Sequence, residues 1–422
     1  MIDPRFLRDN PEAVERAVRL KRESADVERI LALDQRRREL VAGADERKAR
    51  RKTESRRIAG IRKAGGDAAE AMEAVRQLGE EIRRLDAERA ALEAELEQEL
   101  LRLPNLPADD VPEGEGAADN REERRHGEAR RFDFAPRNHQ ELGEALGILD
   151  LKAAARTSGS GFFFLLGAGA RLERALIDFM IDLHVREHGY LEVQSPFLVR
   201  PDSCTGTGQL PKLADDMYRI DRDDLYLIPT AEVSLTNLYR ERLLAAADLP
   251  VKLVGQSHCF RREAGSHGKE TTGLQRVHQF QKVELVQLVR PEASAAALES
   301  LTRDAEAVLQ RLELHYRVVT LCAGDLGFAS AKTYDLEVWA PGLGRYLEVS
   351  SCSNFLDFQA RRAGIRFRGE DRAVRFVHTL NGSGLALPRL MIALLETFQC
   401  ADGTIDVPRA LRPCLGGMER IG

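Results

Sequence analysis

Across 422 residues the chain lacks most of the marks that assign chemistry at sight. None of its six cysteines, Cys204, Cys259, Cys322, Cys352, Cys400 and Cys414, stands in a CxxC pair. That argues against a zinc site and a disulfide framework, and for reduced thiols. There is no GxxxxGK[ST], and no GxGxxG between a strand-like and a helix-like run, so P-loop and dinucleotide folds have no support. HExxH and GxSxG are missing, and the nine histidines do not cluster at metal-ligand spacings. No apolar stretch approaches the roughly 20 residues that cross a bilayer; residues 161–170 reach about half that length. The start, Met1-Ile2-Asp3-Pro4-Arg5, leads into charged sequence rather than an apolar signal core, so a soluble, cytoplasmic protein is expected. Net positive charge is missing too. Sixty-three Lys+Arg against 68 Asp+Glu leave −5, so any polyanion site must come from local segregation of charge.

What is present is a globular composition, 43% hydrophobic and 31% charged, in a chain long enough for two or three domains. Three stretches differ. Residues 1–103 are helical in character. Val75, Leu78, Ile82, Leu85, Leu92, Leu96 and Leu103 follow a heptad seam, and Ile30, Leu33, Leu40, Ala44, Ile58 and Ile61 follow a weaker one. Ala64-Gly65-Gly66-Asp67 between them signals a turn. The spacing predicts two long antiparallel helices, each about 50 Å, projecting as an arm. From 46 to 63 the arm carries Arg47, Lys48, Arg50, Arg51, Lys52, Arg56, Arg57, Arg62 and Lys63 against only Glu46 and Glu54. Such a run is either a solvated face or a contact for a polyanion such as RNA. Residues 104–130, rich in Pro, Gly and acid, read as an exposed linker. Residues 131–422 mix helical and strand-like runs, with a helix expected over 172–188 and strands over 251–260 and 276–285.

Three segments of this last part place charge inside strand-like sequence. Phe260-Arg261-Arg262-Glu263 and Arg276-Val277-His278-Gln279-Phe280-Gln281-Lys282-Val283-Glu284 flank a polar loop, a hairpin that brings Arg261, Arg276 and Phe280 together. Arginine forks suit phosphate and an aromatic face suits a base, although a surface salt-bridge ladder would read alike. Tyr346-Leu347-Glu348-Val349-Ser350-Ser351-Cys352-Ser353-Asn354 alternates oxygen ligands that could hold Mg²⁺, or forms a plain half-exposed strand. Asn381-Gly382-Ser383-Gly384-Leu385-Ala386-Leu387-Pro388-Arg389 leads into an apolar helix, with Arg389 in the first turn where an anion is favoured.

Together these segments resemble the bacterial-type seryl-tRNA synthetase family of class II aminoacyl-tRNA synthetases. Motif 1 of that class resembles the 172–188 helix and the strand ending at Pro196. Motif 2 resembles Phe260-Arg261-Arg262-Glu263 with 276–284, and motif 3 resembles Gly382-Ser383-Gly384 with Arg389. Thr205-Gly206-Thr207-Gly208-Gln209-Leu210-Pro211-Lys212, Pro229-Thr230-Ala231-Glu232 and Lys332-Thr333-Tyr334-Asp335-Leu336-Glu337 are similar to stretches of the serine enzymes. The resemblance implies an α+β fold, an antiparallel sheet flanked by helices behind a coiled-coil arm, dimerising through motif 1. It implies ATP-dependent ligation of L-serine to tRNA(Ser) through seryl-adenylate. Arg261, Glu263 and Arg389 would then be catalytic, Arg261 on the α-phosphate, Glu263 at the adenine amino group. Phe280 would stack on adenine. Arg262, Val277, Glu348, Val349, Ser350 and Ser351 would complete the ATP site, with Mg²⁺ on Glu348 and Ser351. Thr230, Ala231, Glu232, Glu284 and Ser383 would take serine. Arg47, Lys48, Arg50, Arg51, Lys52, Arg56 and Arg57 would grip tRNA. No zinc and no membrane partner is expected.

Some positions depart from the family pattern: Arg262 where a small polar residue is common, Phe355 where a smaller one is, and His267-Gly268-Lys269-Glu270-Thr271-Thr272 in a loop that is commonly arginine-rich. The alternatives are a paralogue supplying seryl-adenylate or seryl-tRNA to a biosynthetic pathway, and a coiled-coil adaptor with a dead catalytic domain. The adaptor predicts damage at Arg261, Glu284 or Arg389, and all three are intact. A relative that loads carrier proteins would lack the arm and carry a cysteine-ligated zinc.

Overall fold

A computed structural model describes residues 1–264 and 273–422. The departing loop residues 267–272 fall outside them. The chain divides into two compact units, Met1–Pro104 and Asn105–Gly422.

In the first unit, short helices Pro4–Asp9 and Pro11–Leu20 precede α1, Val27–Lys63, and α2, Ala69–Leu100. Asp26 caps α1 by accepting the Arg29 amide hydrogen at 2.9 Å. The turn falls at the expected glycines, Gly65 taking φ +74°. The 37 residues of α1 extend roughly 55 Å. Ile30, Leu40 and Ala44 are buried on α1, and Leu78, Ile82 and Leu96 on α2, along the predicted seams. Ion pairs lace the two helices: Arg29–Glu95 at 2.8 Å, Arg36–Glu88 at 2.7 Å, Arg47–Glu81 at 2.7 Å and Lys48–Asp86 at 3.3 Å. The basic cluster is thus partly neutralised from across the hairpin, by acids that a count within one helix does not see. Arg57 pairs with Glu54 at 3.4 Å. Arg50, Arg51, Lys52 and Arg56 are exposed and have no ion-pair partner among the described residues.

The second unit is built on β1, Arg121–His126; α3, Ala168–Arg186; β2, Leu191–Glu192; β3, Val251–Phe260; β4, Gln279–Val289; α4, Ser294–Arg311; β5, Tyr316–Thr320; β6, Lys332–Ala340; β7, Arg345–Leu356; α5, Phe358–Ala363; β8, His378–Ala386; and α6, Leu387–Thr397. Among the described residues the strands form an eight-stranded sheet in the order β1-β5-β6-β7-β8-β4-β3-β2. Every neighbour is antiparallel except β2, which runs parallel to β3. Leu172, Leu176 and Met180 of α3, Leu301 and Val308 of α4, and Leu390 and Leu394 of α6 share one core with Val283 and Leu285 of β4, Cys352 of β7 and Leu385 of β8. No described helix is long and apolar enough to cross a membrane.

Two expectations change. β4 begins at Gln279, not at 276, because His278 is tied off first: its carbonyl accepts from the Arg261 amide at 2.9 Å and its amide donates to Gly161 at 2.9 Å. Residues 105–130 belong to the second unit, where composition had suggested a linker. Asn105 donates its side-chain amide to the carbonyls of Ala329 at 2.9 Å and Phe355 at 2.8 Å, and β1 pairs with β5 at the sheet edge. A strand reading Arg-Glu-Glu-Arg-Arg-His has no apolar face to betray it. It is held by the ladder and by ion pairs such as Arg124–Glu306 at 2.6 Å.

Candidate active site

Along a strand, side chains alternate between the two faces of a sheet. Val283 and Leu285 of β4 enter the helix-covered core, while Phe280, Lys282 and Glu284 lie on the other face. Cys352 of β7 enters the core, and Ser351 and Ser353 open on a cavity of about 380 Å³. On β8, Gly382 and Gly384 leave room for the helices behind. A Cβ on Gly382 would meet Leu301 Cδ2 of α4 at 2.3 Å, and one on Gly384 would meet His184 Nε2 of α3 at 2.9 Å. Ser383 between them faces the cavity. The Gly-Ser-Gly run is therefore a close-packing device with one polar side chain turned forward.

One end of the cavity is rich in carboxylate. Thr230 Oγ1 donates to Glu284 Oε2 at 3.0 Å, and Asn381 Nδ2 donates to Glu284 Oε1 at 3.3 Å. Lys282 Nζ donates to Thr230 Oγ1 at 2.9 Å and pairs with Glu284. Glu232 begins a short helix, Glu232–Asn237, and accepts from Gln359 Nε2 of α5 at 2.6 Å. The Gln359 amide also donates to the Thr207 carbonyl at 3.1 Å and accepts from Thr379 Oγ1 at 2.7 Å, so its position is fixed from three sides. Burial, and then the Glu284 charge, push the Glu232 carboxyl up to about 7. Asn381 Oδ1 is buried with no hydrogen-bond partner among the described residues, an acceptor awaiting a donor. Such an end can hold an ammonium group and a hydroxyl.

The other end is cationic and aromatic. Arg261, just past β3, lies 5.2 Å from the Phe280 ring centroid, and its Nε donates to the Pro229 carbonyl at 3.3 Å. Glu263 adopts φ 53° and pairs with Arg276. Arg389, in the first turn of α6 behind Pro388, donates to the Gln275 carbonyl at 3.2 Å and to Glu348 Oε2 at 3.2 Å. Ser351 Oγ donates to Asp335 Oδ1 at 2.6 Å. Burial, and then the Glu348 charge, raise the Asp335 carboxyl well above the usual range. Among the described residues no cluster of three His, Cys, Asp or Glu could hold a metal. Glu348 and Ser351 still offer the hard oxygen donors that fit Mg²⁺, which commonly takes one or two protein ligands and completes its shell with phosphate and water.

The cavity gathers Arg261, Glu263, Val277, Phe280, Glu348, Val349, Ser351 and Arg389 at one end, and Thr230, Glu232 and Ser383 at the other, with Glu284 fully buried against Thr230, whose hydroxyl donates to it. Three other expected residues do not line it. Ala231 is buried at the start of the Glu232 helix. Ser350 donates backwards to the Ser383 carbonyl at 2.7 Å. Arg262 reaches the Asp215 carbonyl at 3.2 Å. Sequence reasoning passed over Lys282, Gln359 and Asn381. Lys282 stands two residues from both Phe280 and Glu284 and so shares their face, a period-two signal that was available.

Residues 217–398 match the family described as tRNA synthetase class II core domain (G, H, P, S and T), and residues 1–107 match the seryl-tRNA synthetase N-terminal domain. A serine–tRNA ligase of Acidithiobacillus ferrooxidans is 53% identical over 421 residues, spanning 100% of this chain and 100% of that one. One from Syntrophomonas wolfei is 51% identical over 422 residues, spanning 100% and 99%. Among solved structures, the seryl-tRNA synthetase of Pyrococcus horikoshii complexed with ATP is similar with a TM-score of 0.95 and 37% identity, over 100% of this chain and 99% of that one. The cytoplasmic serine–tRNA ligase of Naegleria fowleri in complex with AMP gives 0.86 and 29%, over 98% and 95%.

Proposed function

The chain belongs to the seryl-tRNA synthetase family, and we propose that its second unit carries the two-step ligation of L-serine to tRNA(Ser) through the residues gathered in this one cavity. The observation that carries the reading is their division into two ends: Arg261 over Phe280 at one, Glu284 with Thr230 and Glu232 at the other. The first end suits a nucleotide and the second an amino acid.

In the first step the serine carboxylate attacks the α-phosphorus of ATP, an oxygen–phosphorus bond forms, and pyrophosphate leaves. The attacking carboxylate is already ionised, so no side chain need act as general base. What the protein supplies is alignment and cancellation of charge, because two anions must meet. Arg261, at the cationic end with its Nε on the carbonyl of Pro229 next to Thr230, is placed to hold the α-phosphate and the serine carboxylate. Phe280 stacks on the adenine, Glu263 accepts from its amino group, and Arg389 covers the nucleotide. Glu348 and Ser351 would hold Mg²⁺, which when bound neutralises phosphate charge. Glu232, Glu284, Thr230 and Ser383 bind serine. In the second step the terminal ribose hydroxyl of tRNA attacks the acyl carbon, and AMP leaves.

The arm, residues 1–104, grips the tRNA through Arg50, Arg51, Lys52 and Arg56, exposed cations with no ion-pair partner among the described residues, supported by Arg47, Lys48 and Arg57. The enzyme works as a cytosolic homodimer joined through α3. The test is serine-dependent ATP–pyrophosphate exchange, followed by charging of tRNA(Ser). Exchange driven by serine supports the reading, and its absence in folded protein refutes it.

A further inference from the structure

The amino-acid end of the cavity holds two buried carboxylates and one buried ammonium. Glu284, Glu232 and Lys282 are all at least nine-tenths buried. The cation is not shared evenly. Lys282 pairs with Glu284 and donates to Thr230, whereas Glu232 accepts from the uncharged Gln359 amide, with no cation paired to it among the described residues. A threonine hydroxyl has one donor and two acceptor positions. Thr230 gives its donor to Glu284 at 3.0 Å and accepts from Lys282 at 2.9 Å and from the Glu232 amide at 3.3 Å. Removing Lys282 therefore takes the paired cation from the Glu284 carboxylate and one of the two donors from the Thr230 hydroxyl.

We propose that Lys282 is the standing counter-ion of the serine site, a specificity-determining positioning residue that neutralises Glu284 and fixes Thr230, so that Glu232 alone remains to be paired by the ammonium of the substrate. This rests on the reading of Glu232 and Glu284 as the serine-binding carboxylates. With both carboxylates ionised, the cluster of Glu232, Glu284 and Lys282 carries one net negative charge. One substrate ammonium cancels it, and the site is then matched to a monocationic amino group. Without Lys282 the cluster would carry two negative charges in a buried place, a state that is relieved by keeping a proton. The groups facing Glu232 are Glu284 and Lys282 from β4, Gln359 from α5 and Asn381 from β8; of these Glu284 raises its carboxyl and the others lower it. Loss of the ammonium must therefore hold Glu232 protonated to higher pH.

The experiment compares Lys282→Met, Lys282→Arg and Glu284→Gln with the wild type by ATP–pyrophosphate exchange from pH 6 to 9. Cutting one partner of a buried charge pair is expected to lower kcat/KM for serine by about a hundredfold in Lys282→Met. The loss should lie mainly in KM for serine, with KM for ATP within about twofold. The acid limb of the serine profile should move to higher pH. Lys282→Arg, which keeps the charge, should recover most of the loss. A second readout uses L-2,3-diaminopropionate, which bears an amino group where serine has its hydroxyl. Lys282→Met should shift inhibition toward this compound relative to serine by about tenfold, because an added cation now has a charge to meet. Lys282→Gln, which retains a donor for Thr230 but drops the charge, carries the same expectations and replaces the methionine variant if that one does not fold. If Glu284→Gln raises KM for serine while Lys282→Met and Lys282→Gln leave KM and pH profile unchanged, the proposal for Lys282 is overturned and the serine site stands. If Glu284→Gln also leaves KM for serine unchanged, the reading of the site itself is wrong.

Discussion

Glu232→Gln should stabilise the free protein above neutral pH while disabling it. The carboxyl is fully buried, accepts one hydrogen bond from Gln359, and is raised from 4.5 to about 7 by burial and by Glu284. Because the folded-state value lies above the unfolded one, the protonated carboxyl favours the fold fully below pH 4.5, and that contribution is lost as pH rises through about 7. Holding the charge in place above pH 8 costs on the order of 3 kcal/mol relative to the unfolded chain. A glutamine keeps the size of the side chain and an oxygen for Gln359, but carries no charge. The calorimetric melting temperature of the variant should match wild type near pH 4.5 and exceed it progressively up to pH 8. A gain of that order is a few degrees for a unit this large. Serine activation should move the other way. In the wild type, kcat/KM for serine should rise through pH 7 as Glu232 ionises to meet the ammonium, and serine binding near neutrality should release protons. The variant should lose most of its serine activation and its pH dependence together. A glutamine variant that is equally stable or less stable than wild type at pH 8, or one that activates serine normally, would refute this account of Glu232.

Arg261→Ala should lower serine-dependent exchange by about 10²–10³, since one preorganised contact to a developing anionic centre is worth that much in rate; full exchange would remove Arg261 from its assigned place. Deleting residues 27–103 should leave exchange largely intact, because the second unit has its own core, and should cripple tRNA charging; a parallel fall in both would merge the roles of arm and body. Reversing Arg50, Arg51, Lys52 and Arg56 to Glu should weaken tRNA binding and flatten its dependence on log salt, with exchange unaltered. An unchanged salt slope would move the RNA contact elsewhere.

The arm was legible in the sequence almost to the residue. Its seams repeat over many turns, and the Gly65-Gly66 break is local, so short-range periodicity suffices. β3 was legible for the same reason, as an apolar run ending in a charged motif. The edge strand β1 was not, since exposure on both faces leaves no alternation to detect, and its partner β5 lies almost 200 residues away. The site divides similarly. Arg261, Phe280, Glu284 and Arg389 stand in charged or aromatic motifs that invite a reading. Gln359 does not: it is an uncharged residue in a short helix, and it matters only because the fold brings α5 against Glu232. Arg47 and Lys48 show the converse case. Their charge was visible, but Glu81 and Asp86, which pair with them, become neighbours only when the hairpin closes.

The central claim is that one cavity selects serine and activates it with ATP. The most direct measurement is ATP–pyrophosphate exchange by the wild type with serine, alanine and threonine in turn, followed by charging of tRNA(Ser). Buried acceptors built to bond a hydroxyl reject the analogue that lacks it, so serine should exceed alanine by roughly 10⁴. Threonine, excluded by one methyl group against packed walls, should be the commoner but still minor error. Exchange that serine and alanine support equally would contradict the account.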